Sequence, residues 1–256
     1  MWSADMYGKF EKERKQPSID LLNKIDGGKF ERIIDIGCGS GMSTLTLKKR
    51  FTESEIVGVD LSENMLDKAR KSISGVTWMQ RDCSRKLNDL GTFDLVFSNA
   101  FIQWIPNQEE FIKNTKELLN ENGAFAIQIP YFEEMQVAKI IKEVSLEFDT
   151  NKALFGNLVT STYFNYNFKE YYDMFSRYYS NIDIWKTNYI HQMKDCNAIV
   201  DFIKGTALLP YLECLDEKQT TLFIKKLYDR ISECYVASEN GTVLFEFKRL
   251  FIIARK

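Results

Sequence analysis

The sequence is poor in several residue types, and each scarcity narrows the possible functions. His191 is the single histidine among 256 residues, which excludes a site built from several histidines, and we expect no metal. The five cysteines are odd in number and form no CxxC pair, so we expect reduced thiols. No long basic block occurs and the formal net charge is −2, so we expect no nucleic-acid partner.

Long apolar runs are also missing. No stretch approaches the roughly 20 apolar residues of a membrane-spanning helix, and residues 1–14 are polar and charged, unlike a secretory signal. We therefore expect a cytoplasmic protein without a membrane partner. With 45% apolar and 14% aromatic residues, the chain can bury a sizeable core, which argues against disorder.

The most informative segment is IIDIGCGSG, residues 33–41. An apolar run carries Asp35 and then opens into glycines at every second position, beginning with Gly37 and Gly39. Because glycine has no side chain, such a turn brings its backbone close to a ligand. About twenty residues later the run IVGVD ends in Asp60, whose carboxylate can accept hydrogen bonds from a ribose diol. The two segments predict a nucleoside-containing cofactor.

Periodicity predicts the fold. Apolar strands at 32–36, 55–59, 76–80, 93–98 and 124–129 alternate with amphipathic helices, which is typical of a doubly wound parallel sheet. After Pro130 helices dominate (134–148, 168–178, 197–206 and 218–235), and two late strands are expected at 182–189 and 243–255. We predict an α/β, Rossmann-like, seven-stranded, mostly parallel sheet with an inserted helical cap. Residues 1–256 are interpreted as one domain, with a cofactor-binding core at 30–130 and a substrate lid at 131–242.

Several polar residues are predicted at strand ends facing one crevice. Asp35 can orient the glycine turn and engage the amino-acid part of a ligand. Asp82 and Cys83 can read an adenine edge after the third strand, and Asn99 ends the fourth. The third glycine comes too early for a dinucleotide-binding turn, and Met42 occupies the position where the last glycine of that turn would stand. A nicotinamide enzyme is therefore disfavoured.

In combination these motifs resemble the class I S-adenosylmethionine-dependent methyltransferases over about residues 30–130. The resemblance implies that Gly37 and Gly39 approach the methionine part of S-adenosylmethionine, Asp60 binds the ribose, and Asp82 with Cys83 holds the adenine. It also implies release of S-adenosylhomocysteine as product. The matched motifs add further cofactor-binding positions, namely Cys38, Leu61, Met65 and Ala100.

A closer resemblance, to the trans-aconitate 2-methyltransferase family, extends almost from end to end. Among the matching segments are Asn99-Ala100 with Gln103-Trp104, Asp183-Ile184-Trp185 and Arg249-Leu250-Phe251-Ile252. It implies methyl esterification of a carboxylate on a small organic acid. No catalytic base is needed, because a carboxylate is already anionic at neutral pH. We expect five side chains to position the acceptor: Tyr7, Arg14, Trp104, His191 and Arg249. His191 is expected just after a late strand.

One departure from the family concerns the acceptor. Leu209 stands where familiar members have an arginine before the proline, which leaves the substrate open. The alternatives are a malonyl-carrier-protein methyltransferase and a non-catalytic S-adenosylmethionine-binding regulator; an RNA methyltransferase is disfavoured by charge. The expected partner is a small carboxylic acid, and a monomer is favoured.

Overall fold

The computed structural model describes residues 10–26, 28–149, 153–156 and 166–256, with only the backbone of Glu133. A seven-stranded sheet has the order β3-β2-β1-β4-β5-β7-β6. Adjacent strands among β1 to β5 are parallel, and β7 is antiparallel to β5. The predicted fold class is therefore confirmed. The strands are β1 Arg32–Ile36, β2 Glu55–Asp60, β3 Thr77–Gln80, β4 Phe93–Asn99, β5 Leu119–Pro130, β6 Asn181–Met193 and β7 Val243–Arg255.

Helices occupy most of the chain between the strands, because their apolar residues recur at helical spacing and can be buried on one face. None of the helices in the described part of the chain combines the length and apolar character needed to cross a bilayer. The helices are α1 Glu11–Asn23, α2 Met42–Arg50, α3 Glu63–Ser72, α4 Gln108–Glu117, α5 Gln136–Phe148, α6 Phe168–Ser176, α7 Cys196–Lys204, α8 Leu209–Leu212 and α9 Glu217–Cys234.

The start of β5 differs from the prediction. Asn122-Gly123 is a pair typical of turns, but α4 already ends at Glu117 and the pair lies inside the strand. The β4–β5 register shifts between Phe93 and Leu95, and Asn122 has a φ of 65°. The pair therefore forms an irregularity within the strand, where Asn tolerates a positive φ.

Two further boundaries were predicted wrongly. Apolar residues recur at helical spacing over residues 17–25, but the helix α1 begins earlier, at Glu11, and contains Pro17. The late strand was expected to end before His191, but β6 continues to Met193. In both cases the element extends beyond the residues whose local pattern predicted it, because tertiary packing overrides weak local preferences.

The described residues divide into two compact units. The sheet unit comprises residues 14–26, 28–130, 166–187 and 249–256, and the helical unit comprises residues 10–13, 131–149, 153–156 and 188–248. In the sheet unit, β4 lies between β1 and β5 and packs most extensively against these two strands. The cofactor residues predicted from the sequence all belong to the sheet unit.

An aromatic core organises the helical unit. The ring of Phe202 on α7 lies 5.2 Å from Phe10, 5.6 Å from Phe245 and 5.2 Å from Phe247. Helix α9 packs against α5 and α7 and buries Phe223, Leu227 and Ile231. Burial of several large side chains is the main stabilisation available to such a unit.

Candidate functional site

The glycine turn after β1 is fixed by hydrogen bonds to the neighbouring strand. The backbone N–H groups of Gly37 and Cys38 both donate to the carbonyl oxygen of Val59, at 2.9 and 3.0 Å. Gly37 has a φ of +72°, and a Cβ there would overlap the ring of Phe101. Position 37 therefore requires glycine both for its conformation and for packing.

Gly39 is glycine for a different reason. Its φ is +54°, yet a Cβ built on it would meet no described atom within 4 Å. The space beside this backbone is open, so protein packing alone does not demand a glycine here. A turn with free space beside its backbone can accept a ligand that approaches closely.

The carboxylate of Asp60, at the end of β2, holds this turn. Its Oδ2 accepts a hydrogen bond from the Gly39 N–H at 2.8 Å, and its Oδ1 accepts one from the Ser62 N–H at 2.9 Å. Each carboxylate oxygen has a second lone pair, so Asp60 can still accept two ligand hydroxyls. Leu61 is 65% exposed although it is apolar, and Met65 is half-buried on α3.

After β3, the carboxylate of Asp82 interacts with residues of its own loop. Its carboxylate accepts from the Ser84 hydroxyl at 2.6 Å and pairs with Arg85 at 3.0 Å. The Ser84 hydrogen bonds, then Arg85, lower the pKa of Asp82. Cys83 and Cys38 are both buried, and burial raises the pKa of Cys83 to about 12, so these thiols remain protonated.

The end of β4 combines an unusual backbone with an unsatisfied amide. Ala100 has a φ of 55°, and its N–H donates to the carbonyl oxygen of Gln128 at 2.7 Å. The buried Oδ1 of Asn99 has no hydrogen-bond partner among the described residues. A strained residue next to an unsatisfied polar atom is a common feature of ligand sites.

Asp35 lies beneath the turn and is fully buried. Its Oδ2 accepts hydrogen bonds from the Ser43 and Thr44 hydroxyls of α2, at 2.7 and 2.6 Å. Burial raises its pKa to about 6, while these two hydrogen bonds oppose the rise and the Asp60 charge adds to it. Asp35 therefore ties the start of α2 to β1.

This pKa predicts a pH-dependent stability. Because the pKa of Asp35 is raised from 3.8 to about 6, the folded state binds more protons than the unfolded state between these values. Stability should therefore fall as pH rises through this window, by up to about 3 kcal/mol. Asp35→Asn keeps an acceptor oxygen but cannot ionise. The free energy of unfolding in urea is measured for both proteins from pH 4 to 7. The value for the Asp35→Asn variant minus that for wild type should rise with pH, and a difference that does not change with pH would contradict the assignment.

Arg249 lies at the same end of the sheet. It is only 5% exposed, on β7 opposite Pro130, and its Nη1 donates to the Oε1 of Gln128 at 3.5 Å. A buried guanidinium is suited to a carboxylate ligand. Arg14 is buried on α1, while Trp104 ends a short 3₁₀ helix after β4 and is 40% exposed.

The two remaining positioning candidates are His191 and Tyr7. His191 is buried on β6 among aromatic rings, 5.6 Å from Phe202 and 6.1 Å from Tyr189. Tyr7 lies outside the described residues. The ligand roles of both stay predictions.

Sequence reasoning missed two buried polar features. Ser43 and Thr44 lie on the buried side of α2, whereas the apolar Leu45 is only half-buried. Gln128 is 1% exposed within the apolar run of β5. A polar residue in an otherwise apolar central strand was the available signal, because it is rarely buried without a partner.

The arrangement suits a nucleoside-containing ligand. It offers open space beside Gly39, acceptor oxygens on Asp60 and a buried Oδ1 of Asn99 without a partner among the described residues, all at the carboxyl ends of parallel strands. Ligands of open α/β sheets bind outside these strand ends. These residues fit the cofactor that the motifs predict.

Comparisons with known proteins agree with this interpretation. Residues 33–123 match the family model described as a methyltransferase domain. A trans-aconitate 2-methyltransferase of Escherichia coli is 33% identical over 260 aligned residues, covering 100% of this chain and 98% of that protein.

Solved structures share the fold. The YcgJ protein of Bacillus subtilis has a TM-score of 0.60 at 17% identity, covering 93% of this chain and 97% of that one. Phosphoethanolamine N-methyltransferase 2 of Haemonchus contortus, solved in complex with S-adenosyl-L-methionine, has a TM-score of 0.57 at 16% identity, covering 93% and 52%. The chain is thus an S-adenosylmethionine-dependent methyltransferase, and by its full-length similarity it belongs to the trans-aconitate 2-methyltransferase family.

Proposed function

We propose that this enzyme esterifies a carboxylate of a small organic acid similar to trans-aconitate. The observation that carries the proposal is the buried Arg249 guanidinium, at the sheet end that also carries Asn99 and Ala100. Full-length similarity to proteins named trans-aconitate 2-methyltransferase supports it. A buried cation at this end favours an anionic acceptor.

The proposed cofactor site uses the turn and the strand ends. Gly37, Cys38 and Gly39 supply the close backbone, Asp60 accepts the ribose hydroxyls, and Asn99 offers its Oδ1. The adenine is assigned to Asp82 and Cys83, and the remaining predicted cofactor-binding residues are Leu61, Met65, Ala100 and Asp35. Asp35 acts through α2, because its carboxylate is engaged by Ser43 and Thr44.

The chemistry asks little of the protein beyond positioning. Bound S-adenosylmethionine supplies an electrophilic methyl group, and the acceptor carboxylate is ionised above about pH 5, so no proton must be removed. The residues must orient the acid and exclude water. Arg249 is assigned to binding, with Arg14 and Trp104 as further positioning residues of the sheet unit. The positioning roles of Tyr7 and His191 stay predictions from the sequence.

A methyl-transfer assay tests the proposal directly. The full chain is incubated with methyl-labelled S-adenosylmethionine and a panel of mono-, di- and tricarboxylates that includes trans-aconitate. We expect base-labile labelled methyl esters on acids that have at least two carboxylates. A malonyl-loaded carrier protein is assayed alongside. Label found only on that protein, or on no acceptor, would contradict the proposal.

A further inference from the structure

The amide of Gln128 is held in one orientation. Its Oε1 accepts a hydrogen bond from Nη1 of Arg249 at 3.5 Å. Because a guanidinium has donors but no acceptor, the amide oxygen must be the atom that faces Arg249. The NH₂ group therefore points away from the guanidinium.

That NH₂ group is an unsatisfied donor. Gln128 is 1% exposed, and its Nε2 has no hydrogen-bond partner among the described residues. Asn99 is its register partner on β4, and the Asn99 Oδ1 is unsatisfied as well, so the two amides do not bond each other. Leaving a buried donor unpaired is costly, and a ligand that accepts a hydrogen bond would remove the cost.

We propose that Gln128 and Arg249 together bind one carboxylate of the acid, and that a different carboxylate of the same acid is methylated. This inference rests on the proposed function. A ligand group that accepts hydrogen bonds from a guanidinium binds most strongly when it is an anion. A carboxylate whose charge is neutralised by a guanidinium and an amide N–H is a poorer nucleophile, so another carboxylate of the same molecule must react. Gln128 is thus a specificity-determining residue, and the acceptor class is acids with two or more carboxylates.

The test compares trans-aconitate with crotonate, an unsaturated acid that has one carboxylate. Binding of each acid to the full chain saturated with S-adenosylhomocysteine is measured by calorimetry, and kcat and KM are measured separately. Gln128→Leu removes the donor, and Gln128→Glu keeps the shape but places an anion beside Arg249. Asn114→Leu is the matched control, because Asn114 is another buried amide, 6% exposed, on α4.

We expect both Gln128 variants to weaken trans-aconitate binding and raise its KM by about tenfold or more. The affinities for S-adenosylhomocysteine and for crotonate, both measured by calorimetry, should change less than twofold. If Gln128→Leu fails to fold, Gln128→Glu carries the comparison. Effects no larger than those of Asn114→Leu, or wild type that binds trans-aconitate no better than crotonate, would overturn the role of Gln128.

The two proposals fail in distinguishable ways. Esters that form on acids without any dependence on Gln128 would remove its role and leave the carboxyl methyltransferase activity in place. Binding of trans-aconitate that depends on Gln128, without ester formation, would support the carboxylate site and refute the activity.

Discussion

Asp60→Ala should weaken S-adenosylmethionine binding by about a hundredfold or more. The carboxylate at the end of β2 accepts the Gly39 and Ser62 N–H groups and retains lone pairs for two ribose hydroxyls. Each charge-assisted hydrogen bond is worth about 1.5–3 kcal/mol, and the substitution removes those to the ligand together with the bond that fixes the turn. Calorimetric titration with S-adenosylmethionine measures the loss.

Asp94→Ala provides the matched control for this experiment. Asp94 also accepts two backbone N–H groups, from Glu31 and Arg32 at 2.8 and 2.9 Å, but it lies at the start of β4 rather than at a carboxyl end. Both substitutions should lower stability, whereas only Asp60→Ala should lower cofactor affinity. Equal affinities in the two variants would refute the ribose assignment.

Gly37→Ala should destabilise the free protein by about 2–5 kcal/mol. Alanine at a φ of +72° costs about 1–2 kcal/mol, and overlap of its Cβ with the Phe101 ring adds a further packing cost of about 1–3 kcal/mol. The free energy of unfolding in urea measures the effect.

Gly241→Ala separates these two costs. Gly241 has a φ of +82°, but a Cβ there would meet no described atom within 4 Å. The control should therefore lose only the backbone contribution, about 1–2 kcal/mol. If Gly37→Ala costs no more than Gly241→Ala, Phe101 does not restrict the turn.

Much of the sheet could be predicted because its signals are local. The bounds of β1 and β7 agree with the apolar runs, and Asp60 and Asn99 lie at strand ends as the pattern predicted. A run of apolar residues that is interrupted by glycine or ends in a polar residue needs no tertiary information to be recognised.

What could not be predicted depends on partners distant in sequence. Asn122-Gly123 is a strong turn signal, yet in the structure the pair lies within β5, at an irregularity in the pairing of β4 with β5. The buried hydroxyls of Ser43 and Thr44 make sense only once Asp35 lies beneath them. The role of Gln128 could not be predicted, because its hydrogen-bond partner Arg249 lies more than a hundred residues later in the chain. Tertiary context overrides local preference in each case.

The antiparallel pairing of β5 with β7 has a consequence for biosynthesis. Ala124 pairs with Arg255 and Pro130 with Arg249, so β5 has no neighbour on that side until β7 has left the ribosome. At about 5–20 residues per second, translation leaves the backbone N–H and C=O groups of this edge unpaired for roughly ten seconds. An unpaired strand edge is a template for pairing with another chain, so the nascent protein is most prone to aggregation before β7 is available to pair with β5.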